Sequence, residues 1–214
     1  ENPNASKPRY IWIDAAANFP DFANSKENIA RDLALAKDAG FTDIVVDVRP
    51  TTGDVLFKTN LVDQVKFMYA WIGSNYTKVE RTATWDYLQA FVDEARKQGL
   101  RIHAAINTFV GGNQIDGGTG LLYRDQSKAE WATQMNMQVG ITSVMNTSES
   151  TKFFNPAHPE VQTFLCDLLK DLAGYDLDGI FLDRGRFLNL QADFSEESRK
   201  QFEEYMGGIR IQNY

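Results

Sequence analysis

Short apolar runs alternate along this chain with helical patterns, and this alternation limits the available folds more than any other feature. Four such runs end at Ala15, Pro50, Asn107 and Asp183. Each is nearly continuous in apolar residues, which is typical of a strand buried on both faces. Strands separated by helices pair in parallel, because the helix carries the chain back along the sheet. The sequence therefore predicts an α/β protein.

Turn and capping residues give the expected bounds of these elements. The strands are predicted at 10–15, 41–50, 100–107 and 178–183. Helices are predicted from the cap Ser25 to Gly40 and over 84–98, 159–172 and 195–206. Two long segments, 51–83 and 108–157, are expected to be loops with little regular structure apart from a short helix near 128–135.

The ends of the strands favour a barrel over a dinucleotide-binding fold. No strand is followed by the glycine pattern of a phosphate-binding loop, which also disfavours an enzyme of phosphorylated metabolites. Each strand instead ends in polar residues, as in TIM-type (β/α) barrels. A full barrel takes about 250 residues, and these 214 residues yield four strands. We therefore expect one barrel domain over 1–214 that holds only the N-terminal half, four βα units, and is incomplete at its C-terminus.

An incomplete barrel has open sheet edges. Four parallel strands leave unpaired backbone groups on both sides of the sheet. We therefore expect either a missing C-terminal half or self-association of the chain.

Side-chain alternation places several polar residues on one side of the sheet. Asp14, Arg49, Asn107 and Asp183 share the expected inward face at the carboxyl ends of their strands. Carboxylates, an amide and a guanidinium suit a polyhydroxylated ligand, because hydroxyls both donate and accept hydrogen bonds. The alternatives are structural: Asp183 could pair with a neighbouring arginine, and Asp14 could cap a helix or form a salt bridge.

Other polar residues fit structural roles at least as well as functional ones. Asp47 lies one pair deeper than Arg49, which favours an ion pair over catalysis. His103 lies early on its strand and fits a core position or a site equally. His158 precedes a helix and is expected to shape its start. Cys166, the single cysteine, is expected to be a small core residue.

Composition excludes several partners. The net charge is −7, with 22 basic and 29 acidic residues and no basic patch, so nucleic acid is a poor partner. No apolar run approaches the roughly 20 residues that span a bilayer, and the polar residues 1–8 do not resemble a signal peptide. Two histidines are too few to indicate zinc, and the sequence predicts no metal or cofactor.

Four aromatic residues lie in the two long segments, and the sequence leaves their role open. They could stack on sugar rings or pack beneath the loops. They are Trp71, Tyr76, Tyr123 and Trp131.

Several phrases, taken together and in order, resemble the glycoside-hydrolase-like family ten. The phrases span 11–14, 46–54, 99–107, 154–161 and 178–184, nearly the whole chain. Members of that family are bacterial secreted or lipid-anchored β/α-barrel proteins, some of which act on cell-wall glycan strands. The family often has two adjacent acids at the end of its fourth strand. Here Asp183 matches the first and Arg184 replaces the second, which resembles a branch common in gut Bacteroidetes.

The resemblance implies a glycoside hydrolase acting on a polysaccharide or on a cell-wall or host glycan. Such chemistry needs two carboxyl groups, one protonated and one ionised, with either retention or inversion. Asp183 is the expected nucleophile or charge stabiliser, held ionised by Arg184 or Arg186. Asp14 is the best candidate acid within this chain, although the acid could lie on strands outside it. The expected substrate-binding residues are Arg49, Asn107, His103, Arg184, Arg186 and Asp47.

Two further expectations follow from the resemblance. The protein is expected to be secreted, periplasmic or at the cell surface, with its signal peptide already removed. Because the second acid is missing, the alternative function is a carbohydrate-binding barrel that has lost hydrolysis.

Overall fold

The computed structural model describes residues 7–212. Its strands are β1 (Tyr10–Ile13), β2 (Asp43–Arg49), β3 (Phe67–Ile72), β4 (Asn75–Glu80), β5 (Arg101–Asn107), β6 (Val110–Asn113), β7 (Gln134–Met137), β8 (Gly140–Ser143), β9 (Thr151–Phe153) and β10 (Gly179–Asp183). Its helices are α1 (Phe19–Phe22), α2 (Lys26–Asp38), α3 (Tyr87–Gln98), α4 (Leu121–Arg124), α5 (Pro159–Leu172) and α6 (Glu196–Tyr205). Most of the polar lead-in and the last two residues of the chain lie outside the described residues.

A four-stranded parallel sheet organises the fold, in the order β1-β2-β5-β10. Its central strands β2 and β5 are buried almost throughout, as their continuous apolar sequences predict. One face packs against the core side of α2, α3 and α5, through residues such as Leu33, Phe91 and Leu168. The other face carries the rings of Tyr10, Trp12, His103 and Phe181.

The sheet is open, as the sequence predicts for four parallel strands, and it forms no closed barrel within residues 7–212. Strands β1 and β10 are its two edges, and within residues 7–212 no strand pairs with their outer sides. Four strands are too few to close, since small closed barrels have about eight. Consistent with the open face, Tyr10 is 48% exposed, Trp12 44% and Phe181 38%.

The predicted helix signals hold where side chains satisfy the first backbone amides. Ser25 accepts a hydrogen bond from the amide of Asn28 at 3.1 Å and begins α2. The Nδ1 atom of His158 likewise accepts from the amide of Glu160 at 3.2 Å, which confirms its role at the start of α5.

The expected burial of Cys166 is wrong. It lies on the exposed side of α5, between the buried Leu165 and Leu168.

The two long segments are more regular than predicted. In the first, β3 and β4 form an antiparallel hairpin around Gly73, which has a φ of 61°. The second contains the pairs β6-β9 and β7-β8, together with a 3₁₀ helix at Gln126–Trp131 near the predicted helix. Most of these strands were missed because they are short and rich in polar residues and glycine, whereas the apolar run FMYAWI of β3 was a signal that the sequence prediction overlooked.

A charge network closes the amino-terminal end of the parallel sheet. The buried carboxylate of Asp43 accepts hydrogen bonds from Arg101 at 2.8 Å, from His103 at 2.8 Å and from the Thr42 hydroxyl. Burial opposes ionisation of Asp43, but these donors outweigh it and lower its pKa to about 2. The network therefore ties β2 to β5 at the end where both strands begin.

We expect Asp43→Asn to destabilise the protein by about 2–3 kcal/mol at pH 7, because the donors around this buried carboxylate lose a charged acceptor. The folded pKa of Asp43 lies below its unfolded value, so its contribution is present above about pH 4. That contribution is lost as the pH falls toward 2. Urea unfolding between pH 2 and 7 tests both points. Asp38→Asn, on the exposed end of α2, is the control; equal effects of the two variants would contradict the assignment.

Candidate active site at the carboxyl ends of the sheet

The parallel strands bring three carboxyl groups to one end of the sheet. Asp183 lies opposite Asn107 in the β10-β5 register, and Asp47 lies opposite Ala105 on β5. Asp14 directly follows Ile13, the last residue of β1 to pair with β2. Adjacent strands are about 4.8 Å apart, so the three aspartates converge from different strands.

A cavity of about 160 Å³ lies over these strand ends. It brings together the predicted site residues Asp14, Asp47, Asn107, Asp183 and Arg184. Trp12 on β1 forms part of the same wall. Polar groups that are distant in sequence therefore face one space, as expected for a barrel-type site.

Asp47 is the dry carboxyl group of the cavity. Its side chain is only 7% exposed. Burial raises its pKa to about 7, and the charges of Asp14 and Asp183 act in the same direction. The amide of Arg49 donates to its Oδ1 atom at 3.1 Å but only partly offsets this rise. The expected ion pair with Arg49 is not formed, so Asp47 has the environment of a proton-holding group.

Asp14 and Asp183 are exposed, and each uses one oxygen to stabilise a turn. Oδ1 of Asp14 accepts from the amides of Ala16 and Ala17 at 2.7 and 2.6 Å. Oδ1 of Asp183 accepts from the amide of Arg184 at 2.7 Å, where the chain has a positive φ of 48°. The second oxygen of each carboxyl group has no protein hydrogen bond among those the structure describes.

The arginines after β10 do not hold Asp183 as the sequence predicts. Arg186 donates to the carbonyls of Phe187 and Leu188, and its guanidinium lies over the Phe153 ring at 5.7 Å. Arg184 lines the cavity but bonds Asp183 through its backbone. Within residues 7–212, no ion pair joins either side chain to Asp183.

Arg49 is fully buried and is bonded to backbone instead of facing the cavity. Its Nη1 atom donates to the carbonyls of Asn107 and Thr108 at 2.6 and 3.1 Å, and Nη2 donates to that of Val110 at 2.5 Å. Burial lowers its pKa to about 10, which leaves it charged at neutral pH. The sequence predicts that Arg49 contacts the substrate. Its guanidinium instead bonds the carbonyl groups of the turn between β5 and β6.

Asn107 completes this connection from the other strand. Its Nδ2 atom donates to the carbonyl of Arg49 at 2.9 Å, so the two residues bond each other's backbone. The side chain still lines the cavity, where its amide oxygen is available to a ligand hydroxyl. Asn107 is therefore both a structural link and a candidate ligand contact.

His103 lies away from the cavity. It sits near the start of β5, bonded to Asp43 in the network at the other end of the sheet. The sequence allowed a core role or a site role, and this position gives it the core role.

Glycines bring the loops after β2 and β5 into contact beside the cavity. Gly120 has a φ of 82°, and a Cβ atom there would lie 2.6 Å from the Cα of Gly112 and 2.8 Å from the carbonyl of Thr52. Gly53 approaches the same backbone from the opposite loop. Gly53, Gly112 and Gly120 therefore serve close backbone packing.

The sequence reasoning missed the dry environment of Asp47. Its signal was available, since an acid between Val46 and Val48 on a continuous apolar strand has few ways to reach water. No group of three or more His, Cys, Asp or Glu side chains in the described part of the chain is arranged to hold a metal ion. Among the described helices, none is long and apolar enough to cross a membrane.

Comparison with known proteins finds a matching family model and a curated relative. A family model described as glycosyl hydrolase-like 10 matches residues 7–208. An S-layer-related protein of Niallia circulans is 31% identical over 219 residues, which cover 99% of this chain but 13% of that protein. The chain therefore spans about an eighth of this relative. The Bacteroidetes-type branch stays a prediction.

Solved structures share the fold at low sequence identity. An alpha-L-fucosidase from Paenibacillus thiaminolyticus is 18% identical with a TM-score of 0.59, covering 94% of this chain and 26% of that one. A hypothetical protein from Ruminiclostridium thermocellum is 15% identical with a TM-score of 0.55, covering 96% and 93%. A GH36 alpha-galactosidase from Geobacillus stearothermophilus is 11% identical with a TM-score of 0.53, covering 96% and 27%.

We expect Arg49→Met to destabilise the protein by about 3–5 kcal/mol, because three buried carbonyl groups lose their donor. Arg49→Lys should fall between Met and the native residue, since one ammonium group cannot bond all three carbonyls. Urea unfolding measures the series, with the exposed Arg31→Met as control. The clamp assignment fails if Arg49→Met is as stable as that control.

We expect Asp47→Asn to be more stable than the native protein at pH 8. Between about pH 4 and pH 7 the folded chain keeps a proton on Asp47 that the unfolded chain has released, so native stability falls as the pH rises. The full difference is at most about 4 kcal/mol. Thermal unfolding at pH 4, 6 and 8 measures it. Parallel pH profiles for the two proteins would contradict the raised pKa.

Proposed function

Because the chain belongs to the glycosyl hydrolase-like 10 family, we propose that it is a glycoside hydrolase whose chemistry takes place over the carboxyl ends of its parallel sheet. One observation carries the proposal: the carboxyl groups of a single cavity occupy opposite environments. Asp47 is dry, with a pKa of about 7, whereas Asp14 and Asp183 are open to water. Glycoside hydrolysis needs such a difference between an acid and a carboxylate.

Asp47 is the proposed general acid. A pKa near the working pH leaves a large protonated fraction and still allows efficient proton transfer. The proton passes from Asp47 to the glycosidic oxygen as its bond to the anomeric carbon breaks, and the leaving sugar departs as an alcohol. This role replaces the sequence expectation that Asp14 is the acid, because Asp14 is exposed and lacks a dry environment.

Asp183 is the proposed nucleophile or charge stabiliser. Its exposed carboxylate faces the cavity, and the amide of Arg184 fixes its orientation. Either it bonds to the anomeric carbon and water then displaces it, or it stabilises the positive charge there while water adds. In both cases the water gives its proton to the Asp47 carboxylate, which restores the acid. Asp14 is a positioning group whose charge contributes to the raised pKa of Asp47.

Asn107 and Arg184 are the proposed substrate contacts, since both line the cavity. Arg49 is left out because it does not line the cavity and its Nη atoms bond carbonyl groups, and His103 because it lies at the other end of the sheet. Arg186 is left out for the same reason as Arg49.

The sheet is proposed to be one half of a TIM-type barrel in a single domain. Support comes from its two free edges and from the exposed rings of Tyr10, Trp12 and Phe181 on the side where a barrel interior would be. A location at the cell surface is proposed from the name of the S-layer-related relative. The proposed substrate is accordingly a cell-wall or other extracellular glycan.

Variants of the two acids test the chemistry against cell-wall, plant and host glycans with product analysis. Asp183→Asn should abolish turnover while the fold persists, because an amide oxygen still accepts from the Arg184 amide. Asp47→Asn should lower kcat by about 10²–10⁴-fold on natural glycans. The loss should be much smaller on nitrophenyl glycosides, whose leaving group needs no proton.

Asp38→Asn is the matched control and should keep full activity. Unchanged hydrolysis by Asp183→Asn would overturn its role. Oligosaccharide binding by the native protein without any product, measured by calorimetry, would show a carbohydrate-binding protein instead of a hydrolase.

A further inference from the structure

The β3-β4 hairpin carries aromatic rings on its outer face, where a surface hairpin is ordinarily polar. Alternation along β3 puts Phe67, Tyr69 and Trp71 on one face, and Tyr76 lies opposite Trp71 on β4. The other face is the buried one, through Met68 and Ala70. Trp71 is 68% exposed and Tyr76 57% exposed. The core therefore does not explain these rings.

The rings form one continuous surface, which we name the hairpin platform: Tyr69, Trp71 and Tyr76. Tyr76 stacks on Tyr69 with ring centroids 5.3 Å apart and contacts Trp71 at the same distance. Hydrogen bonds to Asp116 hold the Tyr69 side of the platform in place. Asp116 accepts from the Tyr69 hydroxyl at 2.9 Å and from Nζ of Lys78 at 2.6 Å. An exposed apolar surface that is fixed in this way is suited to binding.

The platform borders a second cavity, of about 330 Å³, that adjoins the carboxyl groups. Tyr69 and Tyr76 line it on one side, and Gln114 and Ser150 line it on the other. Three residues, Ala16, Thr51 and Met68, line both this cavity and the one over Asp47 and Asp183. The two cavities are therefore adjacent, and we call them together the cleft, with the carboxyl groups in one cavity and the platform beside the other.

We propose that the platform is a binding subsite for a further sugar ring of a glycan chain whose scissile bond lies over Asp47 and Asp183. A pyranose ring presents C–H groups to an aromatic face and hydroxyls around its rim, and the cleft offers rings beside amide and hydroxyl side chains. This inference deepens the proposed function and rests on it. It assigns the protein to oligomeric or polymeric glycans, since the platform and the carboxyl groups line two different cavities.

The other aromatic residues of the long segments do not share this role. Trp131 is buried, packs against Phe154 and Phe164, and donates its Nε1 hydrogen to Glu160 at 3.0 Å. Tyr123 packs against Gly118 and Gly112. The sequence allowed either sugar stacking or packing beneath the loops, and the structure gives Trp131 and Tyr123 the packing role.

Binding is measured by calorimetry in an Asp183→Asn background, so that turnover does not consume the ligand. The probes are tetrasaccharides to hexasaccharides of cell-wall, plant and host glycans, each with its monosaccharide. Tyr76→Ala and Trp71→Ala should each weaken oligosaccharide binding about tenfold. Tyr76→Phe should bind as the parent does, because it keeps the ring. Tyr205→Ala, which removes an 85% exposed tyrosine on α6, is the matched control and should have no effect.

Activity separates this inference from the proposed function. In the active protein, Tyr76→Ala should lower kcat/KM for oligosaccharides about tenfold and leave that for nitrophenyl monosaccharides unchanged. Hydrolysis that is insensitive to Tyr76→Ala and Trp71→Ala would overturn the platform and leave the hydrolase proposal standing. Platform-dependent binding without any product would do the reverse. If no oligosaccharide binds, or if the alanine variants bind as the parent does, the platform is not a glycan subsite.

Discussion

The buried guanidinium of Arg49 is the interaction on which the rest of the site depends. The Arg49 side chain extends from the end of β2, and its guanidinium bonds three carbonyl groups where β5 turns into β6. Charged donors in a dry interior make strong hydrogen bonds, and removing them leaves the acceptors unpaired. The ends of the two central strands are thereby held at one separation. The cavity residues Asp47 and Asn107, on β2 and β5, both hydrogen-bond to Arg49.

The same strand carries two carboxyl groups with opposite properties. Asp43 and Asp47 are four residues apart on β2, so they point to the same face, and both are buried. Arg101, Thr42 and His103 surround Asp43 with donors, and its pKa falls to about 2. Among the described residues, Asp47 receives hydrogen bonds only from backbone amides, those of Arg49 and Ala15, and the charges of Asp14 and Asp183 act on it. Its pKa rises to about 7. Burial alone does not decide the protonation state; the number of donors does.

The sequence predicted the parts of this structure that depend on local pattern. Continuous apolar runs located the four parallel strands, and caps such as Ser25 and His158 located the helices. Alternation also placed Asp14, Asn107 and Asp183 at one mouth. It could not show where a long side chain goes, since Arg49 points away from the mouth that its position suggested. The hairpin of β3 and β4 was missed for another reason, since the apolar run of β3 and the turn at Gly73 are local signals that lie in a segment read as a loop.

The glycine contact beside the cavity restricts which residues the two neighbouring loops can carry. Gly53, Gly112 and Gly120 press the loops after β2 and β5 together with no room for a side chain. Insertions or larger residues at these positions would push the two loops apart. A change in one loop is therefore limited by the backbone of the other. At the hairpin tip, by contrast, a Cβ atom added to Gly73 would meet no described atom within 4 Å. The residue at the hairpin tip is therefore restricted by its own positive φ of 61° and not by a neighbouring loop, whereas the loops beside the acid-bearing strand ends restrict each other.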